Sequence, residues 1–202
     1  ARAVADPGGR LVSVWAVERS PQAGGVAACA SFALREGLLY DLLGRIRHKD
    51  KDVRAQTVAA LSARYRVDTS QAERVARSAQ QLFDQVREEW DLGEAQALAP
   101  SWAARLHETG LAIAHTKYHR HGAYLIEHSD LPGFSLSEQR LLAVLVRAHR
   151  RRFPVEVFEM YAGSEGRTAR RLAVLLRLAV LLHRGRAGRA LPRVALKAGK
   201  RR

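Results

Sequence analysis

The sequence predicts an all-α fold, and three features of its pattern support this class. From Ala33 onward, apolar residues recur every three or four positions, which is the spacing of one helix face. Ser70 and Glu73, and again Ser135 and Glu138, have the separation of a capping box, which marks a helix start. No segment alternates apolar and polar residues between hairpin turns, as the strands of a half-exposed sheet would.

The predicted elements follow in order along the chain. Residues 1–32 are rich in Ala, Gly, Val and Pro and show no sustained period, so we expect irregular structure there. Gly110 is expected to end a helix, and 130–134 (DLPGF) to form a turn. The last helix is apolar nearly all round, which is typical of a helix in the middle of a bundle. The predicted helices are 33–48, 52–65, 70–90, 100–110, 117–128, 136–151 and 168–184.

Charge and composition restrict the class of protein further. The chain of 202 residues has a formal net charge of +14 and is 47% hydrophobic, so it can bury a core and favours an anionic partner. Eight of the fourteen charges lie in a basic tail at 184–202, so the remainder is only mildly basic. The single cysteine, Cys29, excludes an internal disulfide and fits a reducing compartment. No apolar run approaches the roughly 20 residues of a membrane span, and no secretory pattern opens the sequence, so we expect a cytoplasmic protein.

Cationic and imidazole side chains form three clusters, each at or near the end of a predicted helix. By spacing alone they could be separate solvated patches. If they converge, they would line a groove that binds a chain of phosphates through charge-assisted hydrogen bonds. The candidate phosphate-binding residues are Arg45, Arg47 and His48 with Lys49, then His107, His115, Lys117, His119, Arg120 and His121, then Arg147, His149 and Arg150 with Arg151 and Arg152.

Two patterns among the histidines raise the question of a metal ion. In the first, His115 and His119 stand four residues apart and could present two imidazoles from one helix face. Lys117 and Arg120 lie beside them and repel a cation. Structural zinc sites usually need four ligands, and no cysteine lies nearby. We therefore predict no metal ion at this pair.

The second pattern, LHETG, resembles the His-Asp step of the HD-domain superfamily. Its metal-dependent phosphohydrolases gather a His, a His-Asp pair and a later Asp on an all-α bundle. His107 and Glu108 would be that pair, but Thr57 and Val180 occupy the positions of the other ligands and cannot replace a histidine or a carboxylate. We interpret the pair as the vestige of a metal site. The alternative is a packing role, with His107 bonded to a backbone carbonyl and Glu108 to a cap or an arginine.

Four blocks of the sequence together are similar to one family. In chain order, within residues 33–196, they are ALREGLLYDLLGR, VRAQTVAAL, LHETGLAIAHTKYHRHGAYLIEHSDLPGFS and LLRLAVLLHRGR. They resemble the C-terminal half of the exopolyphosphatase/guanosine pentaphosphate phosphohydrolase (Ppx/GppA) family. The resemblance implies an HD-domain-like helical bundle, at 33–186, that helps bind a long anionic substrate and contributes to a homodimer. It also implies a partner half of two actin-like domains, which carries the catalytic carboxylates, the phosphate-binding loops and Mg²⁺.

The resemblance further implies an enzyme that removes terminal phosphate from inorganic polyphosphate or the 5′ γ-phosphate from guanosine pentaphosphate. Nothing in residues 1–32 resembles the actin-like half, and residues 187–202 look like the start of the family's final β-containing segment. We therefore expect a fragment that binds one of these substrates, holds no cofactor and hydrolyses nothing alone. The alternatives are an HD-type phosphohydrolase using His107 and Glu108, or a nucleic-acid-binding module, against which the 6% aromatic content argues.

Overall fold

The chain divides into two compact units, residues 1–47 and 48–202. The structure, a computed structural model, describes residues 2–5, 11–14, 50–161, 163–186 and 194–197. The helix predicted at 33–48 lies outside these residues. So does the first cationic cluster, which consists of Arg45, Arg47 and His48 with Lys49.

The first unit contains a two-stranded antiparallel sheet within the segment predicted to be irregular. Strands β1 (Arg2–Ala5) and β2 (Leu11–Val14) pair so that Arg2 lies opposite Val14 and Ala5 opposite Leu11. The prediction is wrong for these residues. Valine and leucine favour a pleated backbone, but strands of four residues are too short to show a recognisable period.

The second unit is a bundle of helices, which confirms the all-α class for this part of the chain. Short 3₁₀ turns at Glu94–Gln96, Thr109–Ala112 and Val155–Phe158 connect some of the helices. None of the helices that the structure describes is long and apolar enough to cross a membrane. The α-helices of the described residues are α1 (Asp50–Arg64), α2 (Thr69–Val86), α3 (Ala99–Leu106), α4 (Tyr118–Glu127), α5 (Leu136–Ala148) and α6 (Gly163–Leu182).

The core lies around α6, as the apolar composition of this helix predicts. Helix α6 contacts α2, α3 and α5, and its residues Leu172, Leu175 and Leu176 are fully buried. Burying a leucine side chain contributes roughly 1.5–3 kcal/mol, so these residues hold α6 firmly in place. Val174 and Leu181 are exposed, so one side of the helix faces solvent rather than the bundle.

The two predicted helix starts have different outcomes. At α5 the predicted capping box forms, because the Ser135 hydroxyl accepts from the Glu138 N–H and the Glu138 carboxylate accepts from the Ser135 N–H. At α2 the prediction is wrong. Asp68 is the N-cap there, and its carboxylate accepts a hydrogen bond from the Gln71 N–H at 3.0 Å. Aspartate caps as well as serine does, and Asp68 lies two residues before Ser70, so the helix begins earlier.

One buried side chain fixes the end of α4 against α5. The Gln139 amide nitrogen donates to the carbonyl oxygens of Ile126, Glu127 and Ser129 at distances of 2.8, 3.2 and 2.7 Å. Carbonyl groups at the C-terminus of a helix lack partners within the helix, so an amide that reaches several of them satisfies the helix end. These bonds help to fix the position of α4 on α5, and the ends of these two helices form the site described below.

Residues 194–197 lie beside the last turns of α2. The Gln85 side-chain amide donates to the Val194 carbonyl oxygen at 3.2 Å, and its oxygen accepts from the Leu196 N–H at 2.7 Å. The amide thus pairs with the backbone much as a neighbouring strand would. That a β-containing segment begins in the tail stays a prediction.

Candidate phosphate-binding site

Two of the predicted cationic clusters converge on one pocket. One cluster is at the start of α4, and the other is at the end of α5 and in the turn that follows it. The pocket, called the basic pocket below, has a volume of about 440 Å³ and is lined by His119, Arg120, Arg147, Arg151, Arg152, Pro154 and Glu156. Four guanidinium groups against one carboxylate make its field positive, which suits an anionic ligand.

The backbone changes direction sharply at both helix ends that form the basic pocket. Lys117, immediately before α4, has a left-handed backbone with φ 55°, and Arg151, after α5, has φ 64°. Arg177 of α6 supports the second of these turns. Its guanidinium donates to the Ala148 carbonyl oxygen at 3.1 Å and to the carbonyl oxygen of Arg151. A cation at the C-terminus of a helix also interacts favourably with the helix dipole, so α6 caps α5 at the pocket.

The charges around the basic pocket act on one another. His119 is 7% exposed, and its Nδ1 atom has no hydrogen-bond partner among the described residues. Burial, followed by the guanidinium groups of Arg147, Arg150 and Arg120, lowers the pKa of His119 to about 4. The imidazole is therefore neutral at pH 7 and offers hydrogen bonding without charge. Burial and Arg120 also lower the pKa of Arg147, so these two guanidinium groups repel each other and an anion between them would be stabilising.

His107 and His149 are interior residues rather than pocket residues, which corrects their assignment as phosphate ligands. Each is 1% exposed, and their rings meet edge to face with centroids 5.4 Å apart. The Nδ1 atoms lie 2.6 Å from the carbonyl oxygens of Ala104 and Val146, and since a carbonyl only accepts, each Nδ1 carries the proton. Burial is the main cause that lowers the pKa of both histidines, so both are neutral. The ring of His149 in turn meets that of the pocket residue His119 edge to face, with centroids 6.2 Å apart.

Other residues of the predicted clusters lie near the basic pocket but not on its lining. His115 and Lys117 are exposed, and His121 is half-buried. The guanidinium carbon of Arg150 lies 4.5 Å from the centroid of the Tyr118 ring, which is a cation–π contact. Arg150 therefore acts on the pocket through its charge, which contributes to the lowered pKa of His119, rather than through direct contact.

Sequence reasoning missed Glu156, the carboxylate of the pocket lining. It lies in the 3₁₀ turn Val155–Phe158, which contacts α6 and places Glu156 in the same pocket as Arg147 of α5. A lone glutamate in a short turn has no spacing that could reveal such a position. The turn residue Phe158 is fully buried, which anchors this wall of the pocket.

An arginine is bound to the His107–Glu108 pair. The His107 Nε2 atom lies 3.8 Å from Glu108 Oε1, and the Arg186 guanidinium donates to the same Oε1 atom. Arg186 also pairs with the Asp68 carboxylate at 3.2 Å. A guanidinium thus neutralises the carboxylate that would otherwise attract a cation, and this matches the packing role considered from the sequence.

The remaining positions of an HD-type metal site do not fit a metal ion. The Thr57 hydroxyl donates to the Pro132 carbonyl oxygen at 2.9 Å, and Val180 packs against the core as a half-buried hydrophobic residue. Within the part of the chain that the structure describes, no group of three or more His, Cys, Asp or Glu side chains is placed to hold a metal. We therefore derive no reaction through a metal bound to this unit.

The unit is a helical domain whose helix ends bring four arginines to one pocket, an arrangement that suits an anionic ligand. Residues 53–201 match the model of the Ppx/GppA phosphatase family, domain III, and the chain belongs to that family. The family resemblance seen in the sequence is thereby confirmed.

Similar proteins from several bacteria carry the name guanosine-5′-triphosphate,3′-diphosphate pyrophosphatase. The protein of Aeromonas hydrophila is 39% identical over 170 residues, which are 84% of this chain and 34% of that protein. The protein of Vibrio cholerae serotype O1 is 39% identical over 170 residues, 84% of this chain and 33% of its own length. The protein of Pseudoalteromonas translucida is 36% identical over 168 residues, with coverages of 83% and 33%. The chain therefore spans about a third of the length of these relatives.

Proposed function

We propose that this chain is the domain of a Ppx/GppA phosphatase that holds the phosphate chain of the substrate in the basic pocket. The observation that supports it is the convergence of four arginines from two helix ends on one pocket with a single carboxylate. Arginine binds phosphate oxygens through paired, charge-assisted hydrogen bonds. The substrate is inorganic polyphosphate or guanosine pentaphosphate, and the names of the relatives describe a guanosine nucleotide with phosphates at both positions.

In this proposal the hydrolytic step belongs to the actin-like half that the family resemblance implies, together with its Mg²⁺. The present chain contributes substrate binding, a surface for that half and a homodimer interface. Stabilising charge on a transferring phosphoryl group requires a metal ion or cationic donors aligned with an activated water. The basic pocket supplies cationic donors, and the metal-binding side chains of its lining are limited to one carboxylate, Glu156, and one imidazole, His119, among four arginines.

The chain is expected to release no orthophosphate from inorganic polyphosphate in the presence of Mg²⁺. The reason is the lack of a metal-binding group of side chains within the described residues. A colorimetric phosphate assay measures this, with a complete exopolyphosphatase as positive control. Magnesium-dependent turnover that disappears in the Glu108→Gln variant would contradict the proposal and favour an HD-type phosphohydrolase.

Replacing Arg147 and Arg152 together by alanine is expected to weaken binding of inorganic tripolyphosphate by about tenfold or more. A hydrogen bond to a charged group contributes roughly 1.5–3 kcal/mol, and 1.4 kcal/mol corresponds to a factor of ten in affinity. Isothermal titration calorimetry at one fixed salt concentration measures the dissociation constant, because phosphate binding by arginines depends on ionic strength.

The matched control is the double variant Arg167→Ala, Arg170→Ala. Both residues are exposed on α6 and lie outside the lining of the basic pocket. Because this variant also loses two arginines, its net charge changes by the same amount as in the pocket variant. We expect its affinity to stay within about a factor of two, because neither side chain lines the pocket and salt screens exposed charges that make no direct contact with the ligand. Equal losses in the two double variants would show that binding reports net charge rather than the pocket.

A further inference from the structure

An exposed aromatic pair continues the helix face that carries Arg120. Arg120, Tyr124 and His128 stand four residues apart along α4 and its C-terminal end, so their side chains lie in one row. Arg120 lines the basic pocket, and four residues along a helix correspond to about 6 Å. Tyr124 is therefore the next side chain along this face from the pocket.

Tyr124 is presented to solvent in a fixed orientation. Its side chain is 60% exposed, whereas Ala123 and Ile126 of the same helix are buried in the bundle. The ring stacks on His128, with centroids 4.2 Å apart and planes inclined by 25°. His128 is itself held, because its Nδ1 lies 2.9 Å from the Tyr124 carbonyl oxygen. A rigid, exposed aromatic plane gives large contact area at low cost in conformational entropy.

Helix geometry indicates which face of the Tyr124 ring is left open by His128. Side chains of a helix lean toward its N-terminus, so His128 covers the face of the Tyr124 ring that looks toward the C-terminus. We infer that the opposite face is open and looks along α4 toward Arg120, four residues nearer the N-terminus. A ligand whose phosphates bind the arginines can place a planar ring against this face without a long linker.

We propose that the basic pocket and Tyr124 form one site for a purine nucleoside polyphosphate, with the phosphate chain on the arginines and the base stacked on Tyr124. This inference rests on the proposed function, since it uses the same pocket for the phosphates. It adds the base as the group that distinguishes the ligand from inorganic polyphosphate. A strand of RNA would use successive aromatic side chains for successive bases, whereas this face of α4 presents one pair.

The test compares two ligands that differ by the nucleoside, guanosine 5′-triphosphate and inorganic tripolyphosphate, by calorimetry on the whole chain. The nucleotide is expected to bind at least about fivefold more tightly, which is the lower range for one base stacked on an aromatic side chain. Because tripolyphosphate carries more negative charge, such a preference cannot come from charge. Tyr124→Leu is expected to reduce the nucleotide affinity to that of tripolyphosphate, which itself stays unchanged, and Tyr124→Phe is expected to retain the preference.

The outcomes separate this inference from the proposed function. If tripolyphosphate binds and depends on Arg147 and Arg152, but the nucleotide binds no better or is insensitive to Tyr124→Leu, the inference is wrong and the proposed function stands. If neither ligand binds, the proposed function fails, and this inference fails with it. If a single-stranded RNA oligonucleotide displaces the nucleotide at lower concentration and its own binding depends on Tyr124, the surface is a nucleic-acid interface and the nucleotide assignment is overturned.

Discussion

Replacing Gly110 by alanine is expected to lower the free energy of unfolding of the helical unit by about 3 kcal/mol or more. A Cβ atom at this position would lie 2.0 Å from the Tyr118 carbonyl oxygen and 2.4 Å from the Gly122 nitrogen. Both are backbone atoms of α4, so no change of rotamer relieves the contact. The 3₁₀ turn Thr109–Ala112 would have to move away from the helix. Overpacking costs roughly 1–3 kcal/mol where neighbours can adjust, and more where they cannot.

Urea unfolding followed by circular dichroism measures this effect, and Gly93→Ala is the matched control. Gly93 is exposed, has a negative φ of −80°, and an added Cβ would meet only the end of the Gln96 side chain at 3.2 Å. Alanine in such a position is expected to change stability by less than about 1 kcal/mol, because only the flexible end of the Gln96 side chain has to move. A Gly110→Ala protein as stable as the Gly93→Ala protein would show that the turn and α4 are not in close contact in solution.

The role of Gly110 is a feature of the fold that local sequence patterns do not predict. From the sequence it is expected to end a helix, whereas α3 ends at Leu106 and Gly110 allows a 3₁₀ turn to touch α4. The capping box of Ser135 and Glu138 was predictable because both partners lie within one turn of the chain. A contact between Gly110 and Gly122 depends on how two segments pack, and no local spacing records it.

For the candidate site as well, the sequence predicts the residue types, whereas their positions relative to one another depend on the packing of the helices. Charge patterning identifies Arg120, Arg147 and Arg151 as cationic groups at helix ends, but their convergence depends on the packing of α4 against α5. His107 and His149 resemble their exposed neighbours in the sequence, and only the packed bundle shows that they are enclosed. Residue type therefore leads to the proposal of an anionic ligand, and the tertiary structure restricts the residues that line the pocket.

Acidification from pH 7 to pH 5 is expected to reduce the free energy of unfolding, because the buried histidines of the folded chain take up protons less readily than those of the unfolded chain. Burial lowers the folded-state pKa of His107 and of His149 below the usual value of 6.5. Below pH 6.5 the unfolded chain therefore binds protons that the folded chain does not. Above pH 6.5 such a histidine does not reduce the free energy of unfolding. As the pH falls below 6.5, each one lowers the free energy of unfolding by up to about 1.4 kcal/mol per pH unit. His119 and His183, whose pKa values are also lowered, act in the same direction.

His149→Phe separates this effect from general acid destabilisation, because the phenyl ring fills similar space and does not titrate. The variant itself is expected to be less stable at pH 7, since the Val146 carbonyl oxygen and the Tyr118 hydroxyl lose a partner. The measured quantity is instead the slope of unfolding free energy against pH, taken from urea unfolding between pH 7 and pH 5 at constant ionic strength. His149→Phe is expected to reduce that slope by about 1.4 kcal/mol per pH unit near pH 5, whereas His115→Phe, at an exposed site, is expected to leave it unchanged. Identical slopes in the parent protein and His149→Phe would mean that His149 is protonated equally in the folded and unfolded chains, which contradicts its enclosure between α3 and α5.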